Sequence, residues 1–231
     1  MNLNTMIGLL SAMASCLFFC SYVKADEVLI DRPPDDSRLA VRDQEYPDFP
    51  DFSTYLVADI IFDTDVEIKS ITTYFTDTNG TWPQNEIGLA RLNIFQGQLV
   101  GDDDPTLGMI VEANYIANPT GTDLVADLTT LIGPLVLQGQ TQYWIGLTPI
   151  LAFSEFGNEN HFSSDVGPPS MGRNPGGGFG LGTEWTDAGS LFGQPPLSTA
   201  ITIRGGVVPE PSSTGLFFLA LALLRTRVRR R

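Results

Sequence analysis

Cysteine is nearly absent from this chain of 231 residues, and its two cysteines, Cys16 and Cys20, both lie near the N-terminus. Residues 26–208 therefore contain none. This absence excludes a disulfide framework, a cysteine-ligated metal and a thiol nucleophile from that part of the chain. We expect its fold to be held by burial of apolar side chains, alone or together with a bound cation.

Histidine is as scarce, because His161 is the only one. One histidine cannot form a His-rich zinc site, and the chain has no H-E-x-x-H sequence. As the base of a Ser–His–Asp triad, His161 would need Ser154, Ser163 or Ser164 as its nucleophile. Because no G-x-S-x-G sequence accompanies them, the sequence favours a surface or loop histidine without a catalytic role.

Basic residues are also few in the central part of the chain. All 27 acidic residues except Glu210 lie in 26–208, but only seven of the 13 basic residues do, which leaves that part a net charge of −19. Such a charge repels nucleic acid and anionic membranes, so we predict no nucleic-acid partner. It is typical of a soluble exported protein, and it attracts divalent cations.

The N-terminal segment has the pattern of a signal peptide. No charged residue occurs from Ile7 to Val23, and the small residues Val23 and Ala25 precede Asp26 at the spacing of a cleavage site. We predict that residues 1–25 form a signal helix that is removed, so that the mature chain starts at Asp26. Lipidation of Cys16 is a weaker alternative, because apolar sequence continues after it.

The C-terminal segment combines three features in a fixed order. The sequence Val208–Pro209–Glu210–Pro211–Ser212 precedes an uncharged stretch from Gly215 to Leu224, and five arginines then occupy the end of the chain. A ten-residue helix spans about 15 Å, half of a hydrocarbon core of about 30 Å. We therefore predict a short hydrophobic helix that contacts the membrane transiently, with its arginines on the cytoplasmic side.

This tail, on a chain that begins with a signal peptide, resembles the PEP-CTERM sorting signal. The resemblance covers residues 207–231, and the sorting motif is carried by Val208, Pro209, Glu210, Pro211 and Ser212. It implies processing by an exosortase, a membrane protease or transpeptidase. It also implies transient inner-membrane anchoring and export to the cell surface or the extracellular matrix. The stretches "ITTYFTDTNGTWP" and "YWIGLTPI" are similar to the β-sandwich bodies of other PEP-CTERM proteins, for which no activity is implied.

The rest of the chain consists of two segments that differ in composition. Residues 26–52 are rich in Asp and Pro, which predicts an exposed arm or edge segment. Residues 53–206 contain short runs of alternating apolar and polar residues, such as 66–77, separated by Gly, Asn and Asp. This pattern predicts an all-β body, an antiparallel jelly-roll-like sandwich of about eight to ten strands.

The stretch from Gly167 to Trp185 is too rich in glycine for a core strand. We predict a long loop across one face or end of the sandwich. The stretch lacks the glycine spacing and the following helix pattern of a phosphate-binding loop.

Two turns rich in oxygen ligands are candidates for a calcium site. One contains Asp77 and Asn79, and the other contains Asp102, Asp103 and Asp104. Carboxylate and amide oxygens on loops suit Ca²⁺, which makes it the candidate cofactor. The alternative is that these are solvated hairpin tips closed by their own side chains.

The three tryptophans differ in their sequence surroundings. Trp82 lies in a polar turn and Trp185 follows the Gly-rich stretch, so both are candidates for stacking on sugar rings. The alternative is that they cap the ends of the sandwich. Trp144 lies in the apolar stretch "YWIGL", which predicts a core position.

Two classes of function follow from these patterns. The first is a non-catalytic exported surface or matrix protein, with exopolysaccharide as its candidate ligand. The second is a secreted hydrolase that acts on matrix polysaccharide, using a pair of carboxylates such as Glu155, Glu159 or Glu184. The sequence favours the first, because it contains no catalytic motif.

Overall fold

The computed structural model describes residues 26–35, 41–77, 85–119, 121–131, 133–153, 158–163, 168–179, 182–190 and 196–209. These residues form 13 β-strands, three short 3-10 turns and no longer helix. The strands are β1 (Glu27–Arg32), β2 (Val41–Arg42), β3 (Tyr55–Ile61), β4 (Val66–Asp77), β5 (Glu86–Gln96), β6 (Met109–Asn118), β7 (Gly121–Asp127), β8 (Leu135–Leu137), β9 (Gln142–Ile150), β10 (Asn158–Asn160), β11 (Met171–Arg173), β12 (Thr186–Asp187) and β13 (Ile201–Val207).

The strands form one sheet in which every paired strand is antiparallel to its neighbour. The order along the sheet is β1-β13-β4-β7-β6-β5-β9-β3-β11-β12, while β8 and β10 pair with β4, and β2 pairs with β10. The predicted all-β antiparallel fold is therefore confirmed. Jelly-roll connectivity stays a prediction, and the two predicted terminal helices lie outside the described residues.

The two halves of the sheet pack against each other over one apolar core. Residues of β4, such as Ile71 and Phe75, share this core with Ile145 and Leu147 of β9, and all four are fully buried. β4 and β9 are not neighbours in the sheet, yet the Thr73 hydroxyl donates to the Leu147 carbonyl at 3.2 Å. The sheet thus folds over itself in a sandwich-like arrangement.

A bulge explains the break in the alternation of β4. Ile68 and Ile71 are both buried although three positions separate them. Opposite them, Gly205 pairs with Ile68 and Arg204 with Ser70, so Lys69 is the extra residue. A bulge shifts the period by one residue, and both isoleucines then face the core.

The N-terminal segment differs from the predicted exposed arm. Residues 27–32 form an edge strand on β13, as an edge segment would. The expectation is wrong for residues 41–46, because Val41, Asp43, Gln44 and Tyr46 are at most 3 % exposed. The Asp- and Pro-rich composition did not reveal that the Asp43 carboxylate finds hydrogen-bond partners inside the fold.

The Gly-rich stretch also differs from the prediction, because Met171–Arg173 form β11 and pair with β3. Gly172 is buried in this pair. The parts described on either side are turns and loops, as expected for so many glycines.

No helix in the described part of the chain is long and apolar enough to cross a bilayer.

Candidate functional site

The structure brings together three residues that are distant in sequence: Asp103, Arg173 and Trp185. Asp103 lies in the turn between β5 and β6, Arg173 ends β11, and Trp185 directly precedes β12. The backbone carbonyl of Asp103 accepts a hydrogen bond from Arg173 Nη1 at 2.8 Å and another from Trp185 Nε1 at 2.9 Å. The guanidinium and the indole therefore lie side by side, and we call these residues together with Phe95 the Trp185 site.

The β5–β9 pair provides the base of this site. Phe95 lies opposite Trp144 in the sheet, and the Trp144 indole donates to the Gly97 carbonyl at 2.8 Å. The Trp185 ring packs edge-on against Phe95, with ring centroids 5.6 Å apart and planes 68° apart. Trp185 is half-buried, whereas Trp144 is buried as predicted.

Exposed carboxylates lie beside the Trp185 site. Asp102 and Glu184 are both exposed. The turn and the Glu184 segment approach so closely that a Cβ atom at Gly101 would lie 2.9 Å from Glu184 Oε2. Two candidate sites predicted separately, the Asp102–Asp104 group and Trp185, are thus parts of one surface.

The carboxylates of Asp103 and Asp104 close their own turns. Asp103 Oδ2 accepts from the Val100 backbone N–H at 2.8 Å, and Asp104 Oδ1 accepts from the Thr106 backbone N–H at 2.9 Å. This is the turn chemistry that the sequence offered as the alternative to a calcium site. Among the described residues, no group of three or more His, Asp or Glu side chains is arranged to hold a metal ion. Calcium binding stays a prediction.

Several predicted site residues lie outside the described residues. These are Asn79, Trp82 and the sorting-motif residues Glu210, Pro211 and Ser212, together with the side chain of Asp77. The first two residues of the motif, Val208 and Pro209, follow β13, and the Val208 backbone N–H donates to the Asp65 carbonyl at 2.8 Å.

The residues considered for hydrolysis are not gathered into one described cleft. His161 lies in irregular structure directly after β10, as the loop alternative of the prediction has it, but at 7 % exposed it is not on the surface. Its backbone N–H donates to the Tyr74 carbonyl at 2.8 Å. Ser163 is fully buried, and Glu184 is exposed. Ser154, Ser164 and Glu155, and the side chain of Glu159, lie outside the described residues.

A buried carboxylate that the sequence did not single out connects both halves of the fold. Asp43 is fully buried, and its Oδ1 accepts from the Thr148 hydroxyl at 2.7 Å and from the Leu56 backbone N–H at 3.2 Å. Its Oδ2 accepts from Asn160 Nδ2 at 3.0 Å. Burial raises the pKa of Asp43 to about 7, although these hydrogen bonds oppose the shift.

A part-buried ion pair lies two residues further along, at Glu45. Arg91 donates from Nε to Glu45 Oε2 at 2.8 Å and from Nη2 to Glu45 Oε1 at 2.5 Å, a bidentate ion pair. Its Nη1 donates to the Gly108 carbonyl at 2.9 Å. Burial, and then the nearby Glu45 carboxylate, raise the pKa of Tyr55. The one sequence signal for this pair is an arginine within the apolar alternation of a strand.

No protein-family model matches this chain, and no curated protein matches its sequence.

Proposed function

We propose that this protein is an exported, non-catalytic surface or matrix protein that binds carbohydrate at the Trp185 site. The observation that carries the proposal is the way the Trp185 ring is held. Its indole N–H is bonded to the Asp103 carbonyl, its ring packs edge-on against Phe95, and part of the residue stays accessible beside Asp102 and Glu184.

The chemistry of sugars matches these groups. A sugar ring has apolar C–H faces that stack on an aromatic ring, and hydroxyl groups that donate to carboxylates. A tryptophan that is already fixed in the free protein loses little conformational freedom when a ligand binds. Exposed Asp102 and Glu184 supply acceptors, and Ca²⁺ at the Asp102–Asp104 turn is a further proposed ligand.

The strand order supports the jelly-roll part of the prediction. Eight strands have six or more residues, namely β1, β3, β4, β5, β6, β7, β9 and β13. If these eight strands are numbered 1 to 8 along the chain, their order in the sheet is 1-8-3-6-5-4-7-2. Pairing the first strand with the last, and the second with the seventh, is the nested connectivity expected of two Greek keys in a jelly roll.

Hydrolysis of matrix polysaccharide is the competing proposal. A glycosidase needs two carboxylates about 5–10 Å apart across a cleft, one of them partly buried. Glu184 is exposed and lies on a surface turn. The exposure of Glu184 favours binding over cleavage at this residue.

Export through the PEP-CTERM route is proposed from the two ends of the sequence. Mass spectrometry of the cell-surface fraction should find a chain that begins at Asp26 and ends between Pro209 and Pro211. Trimming removes the apolar segment and the arginines, so the mature protein loses its membrane contact. Recovery of a surface protein that still ends at Arg231 would contradict the sorting proposal.

Replacing Trp185 tests the carbohydrate site directly. Trp185→Ala should weaken polysaccharide retention by about 1–3 kcal/mol, the range for losing an aromatic anchor. Trp185→Phe keeps an aromatic face but loses the bond to Asp103, so it should retain more of the affinity. Retention is measured by affinity electrophoresis against a panel of polysaccharides, with and without Ca²⁺.

Because Trp185 is half-buried, stability has to be separated from binding. The fraction of folded protein is taken from thermal unfolding, and affinity is compared per folded molecule. If Trp185→Ala lowers only the melting temperature and leaves this affinity unchanged, Trp185 is a structural cap and the proposed site is wrong.

A further inference from the structure

A narrow cleft lies next to the Trp185 site, where β2, the start of β3 and β11 meet. Its enclosed part offers about 10 Å³, enough for about one water-sized group. The residues that line it include Arg42, Thr54, Tyr55, Gly172, Arg173 and Gly182. We call it the Arg173 cleft.

Thr54, one of the residues that line this cleft, has a buried hydroxyl. The residue is 3 % exposed, and its Oγ1 has no hydrogen-bond partner among the described residues. Its backbone is fixed, because Thr54 and Gln44 exchange two N–H to carbonyl bonds of 2.9 Å. A buried hydroxyl without a partner is destabilising and rare in native structures, so one that lines a cleft points to a ligand that completes it.

Arg173 contributes a positive charge that is not neutralised by a hydrogen-bonded carboxylate. Its Nε donates to the Thr183 carbonyl at 2.7 Å and its Nη1 to the Asp103 carbonyl at 2.8 Å. Both acceptors are neutral, and in the described part of the chain the side chain makes no ion pair with Asp or Glu. An arginine without an acidic partner is conspicuous where residues 26–208 carry a net charge of −19.

Arg42 adds a second guanidinium to the same cleft. Its Cζ atom lies 4.8 Å from the centroid of the Phe179 ring, a cation–π contact that holds the side chain in place. Two of the seven basic residues in 26–208 therefore line one cleft. Together with the Thr54 hydroxyl, they form a set of donors suited to an anion.

We infer that the Arg173 cleft binds the carboxylate of an acidic sugar, a uronic acid unit of a polysaccharide held on Trp185. The inference rests on the proposed carbohydrate site, because Arg173 and Trp185 bond the same Asp103 oxygen. The enclosed space has room for about one carboxylate oxygen but not for a sugar ring, so the rest of the ligand stays outside on the aromatic surface. Guanidinium groups suit carboxylates because they donate charge-assisted hydrogen bonds. Arg173 uses Nε and Nη1 for the two carbonyls, which leaves Nη2 to donate to a carboxylate oxygen.

The exposed Asp102 and Glu184 oppose the approach of an acidic ligand. Direct charge-assisted hydrogen bonds act at contact distance, whereas repulsion between exposed carboxylates is screened by water and salt. The ligand should therefore bind with its carboxylate in the cleft and its hydroxyl groups toward Asp102 and Glu184.

The test compares two oligosaccharides that differ only in charge. The purified full chain is titrated by calorimetry with an oligogalacturonate, and with the same oligomer after reduction of its carboxyl groups to alcohols. We expect the acidic oligomer to bind about tenfold more tightly, as charge-assisted hydrogen bonds allow. Inorganic phosphate and sulfate, titrated alone, show whether a free anion binds in the same way without a sugar.

Three variants and one control assign the preference to the cleft. Arg173→Gln should remove it, and Arg173→Lys should retain part of it, because the charge remains but the fork is lost. Arg204→Gln is the matched control, since Arg204 is exposed on β13 and its replacement removes the same charge. Thr54→Val replaces an unsatisfied hydroxyl by a methyl group, so it should reduce the preference about threefold without lowering the melting temperature.

The outcomes separate this inference from the proposed function. If both oligomers bind the wild-type chain equally, or if Arg204→Gln loses as much preference as Arg173→Gln, the cleft inference is wrong and carbohydrate binding stands. If free phosphate binds with the same dependence on Arg173 while the acidic oligomer shows no preference, the inference is also overturned. If neither oligomer binds, the carbohydrate proposal itself fails. Because Arg173 also supports the Asp103 turn, an unchanged preference in Thr54→Val counts against the inference even when Arg173→Gln loses binding.

Discussion

The stability of this protein should fall as pH rises from about 4 to about 7, and Asp43→Asn should remove that part of the pH dependence. Asp43 is fully buried, and burial raises its pKa from 3.8 to about 7. Between these two values the folded protein keeps a proton on Asp43 that the unfolded chain has lost. The free energy of unfolding therefore decreases with increasing pH across this window.

The size of the effect follows from the width of the window. One pKa unit corresponds to about 1.4 kcal/mol, so Asp43 alone contributes up to about 4 kcal/mol. This contribution is fully present below about pH 4 and is lost as pH rises through about 7. Urea denaturation at pH values from 4 to 8 measures it.

Asparagine is the informative replacement at position 43. Its carbonyl can still accept from the Thr148 hydroxyl and the Leu56 backbone N–H. Asn160 Oδ1, which has no hydrogen-bond partner among the described residues, can accept from the new amide after its own amide rotates. Asp43→Asn should therefore fold, with a stability near that of the protonated wild type at every pH.

An exposed carboxylate provides the control for the titration. Asp102→Asn makes the same chemical change at an exposed position and is measured beside Asp43→Asn. A stability curve for Asp43→Asn that runs parallel to that of the wild type would show that Asp43 does not titrate in this range. Asp43→Ala should destabilise at all pH values, because it leaves the donors of Thr148 and Asn160 without an acceptor.

Trp144→Ala should cost about 3–5 kcal/mol of unfolding free energy, the range for truncating a large core aromatic. Trp144 is 8 % exposed and lies beside Phe95 in the β5–β9 pair. Its loss also leaves the Gly97 carbonyl without the 2.8 Å bond from the indole. Guanidinium denaturation of the wild type and the variant measures the difference.

Two further variants, Trp144→Phe and Trp185→Ala, serve as comparisons for the stability loss of Trp144→Ala. The first keeps an aromatic ring but loses the indole N–H, so it should cost about 1–2 kcal/mol. The second truncates a half-buried ring and should cost clearly less than Trp144→Ala. If Trp144→Ala costs under about 1 kcal/mol, the β5–β9 pair does not depend on this side chain, and its assignment to the core is wrong.

Sequence pattern alone was sufficient for long strands such as β4 and β5 and for the core tryptophan. The alternation over residues 66–77 and 87–97 predicted β4 and β5, because successive side chains of a strand point to opposite faces. The apolar neighbours of Trp144 predicted its burial. Even the break between Ile68 and Ile71 was visible, although only the pairing with Gly205 identified it as a bulge. These features depend on residues close together in the chain.

The Trp185 site and the buried Asp43 were decided by the tertiary structure. The Asp- and Pro-rich composition of residues 26–52 is typical of an exposed segment, yet Asp43 is buried because Leu56, Thr148 and Asn160 supply its hydrogen bonds. In the same way, Trp185 and Arg173 meet at Asp103, about 70 to 80 residues earlier in the chain. Local periodicity reports which face of a strand is apolar. It contains no information on which distant donors will meet a buried carboxylate or a backbone carbonyl, because those contacts exist only after the sheet has folded over its core.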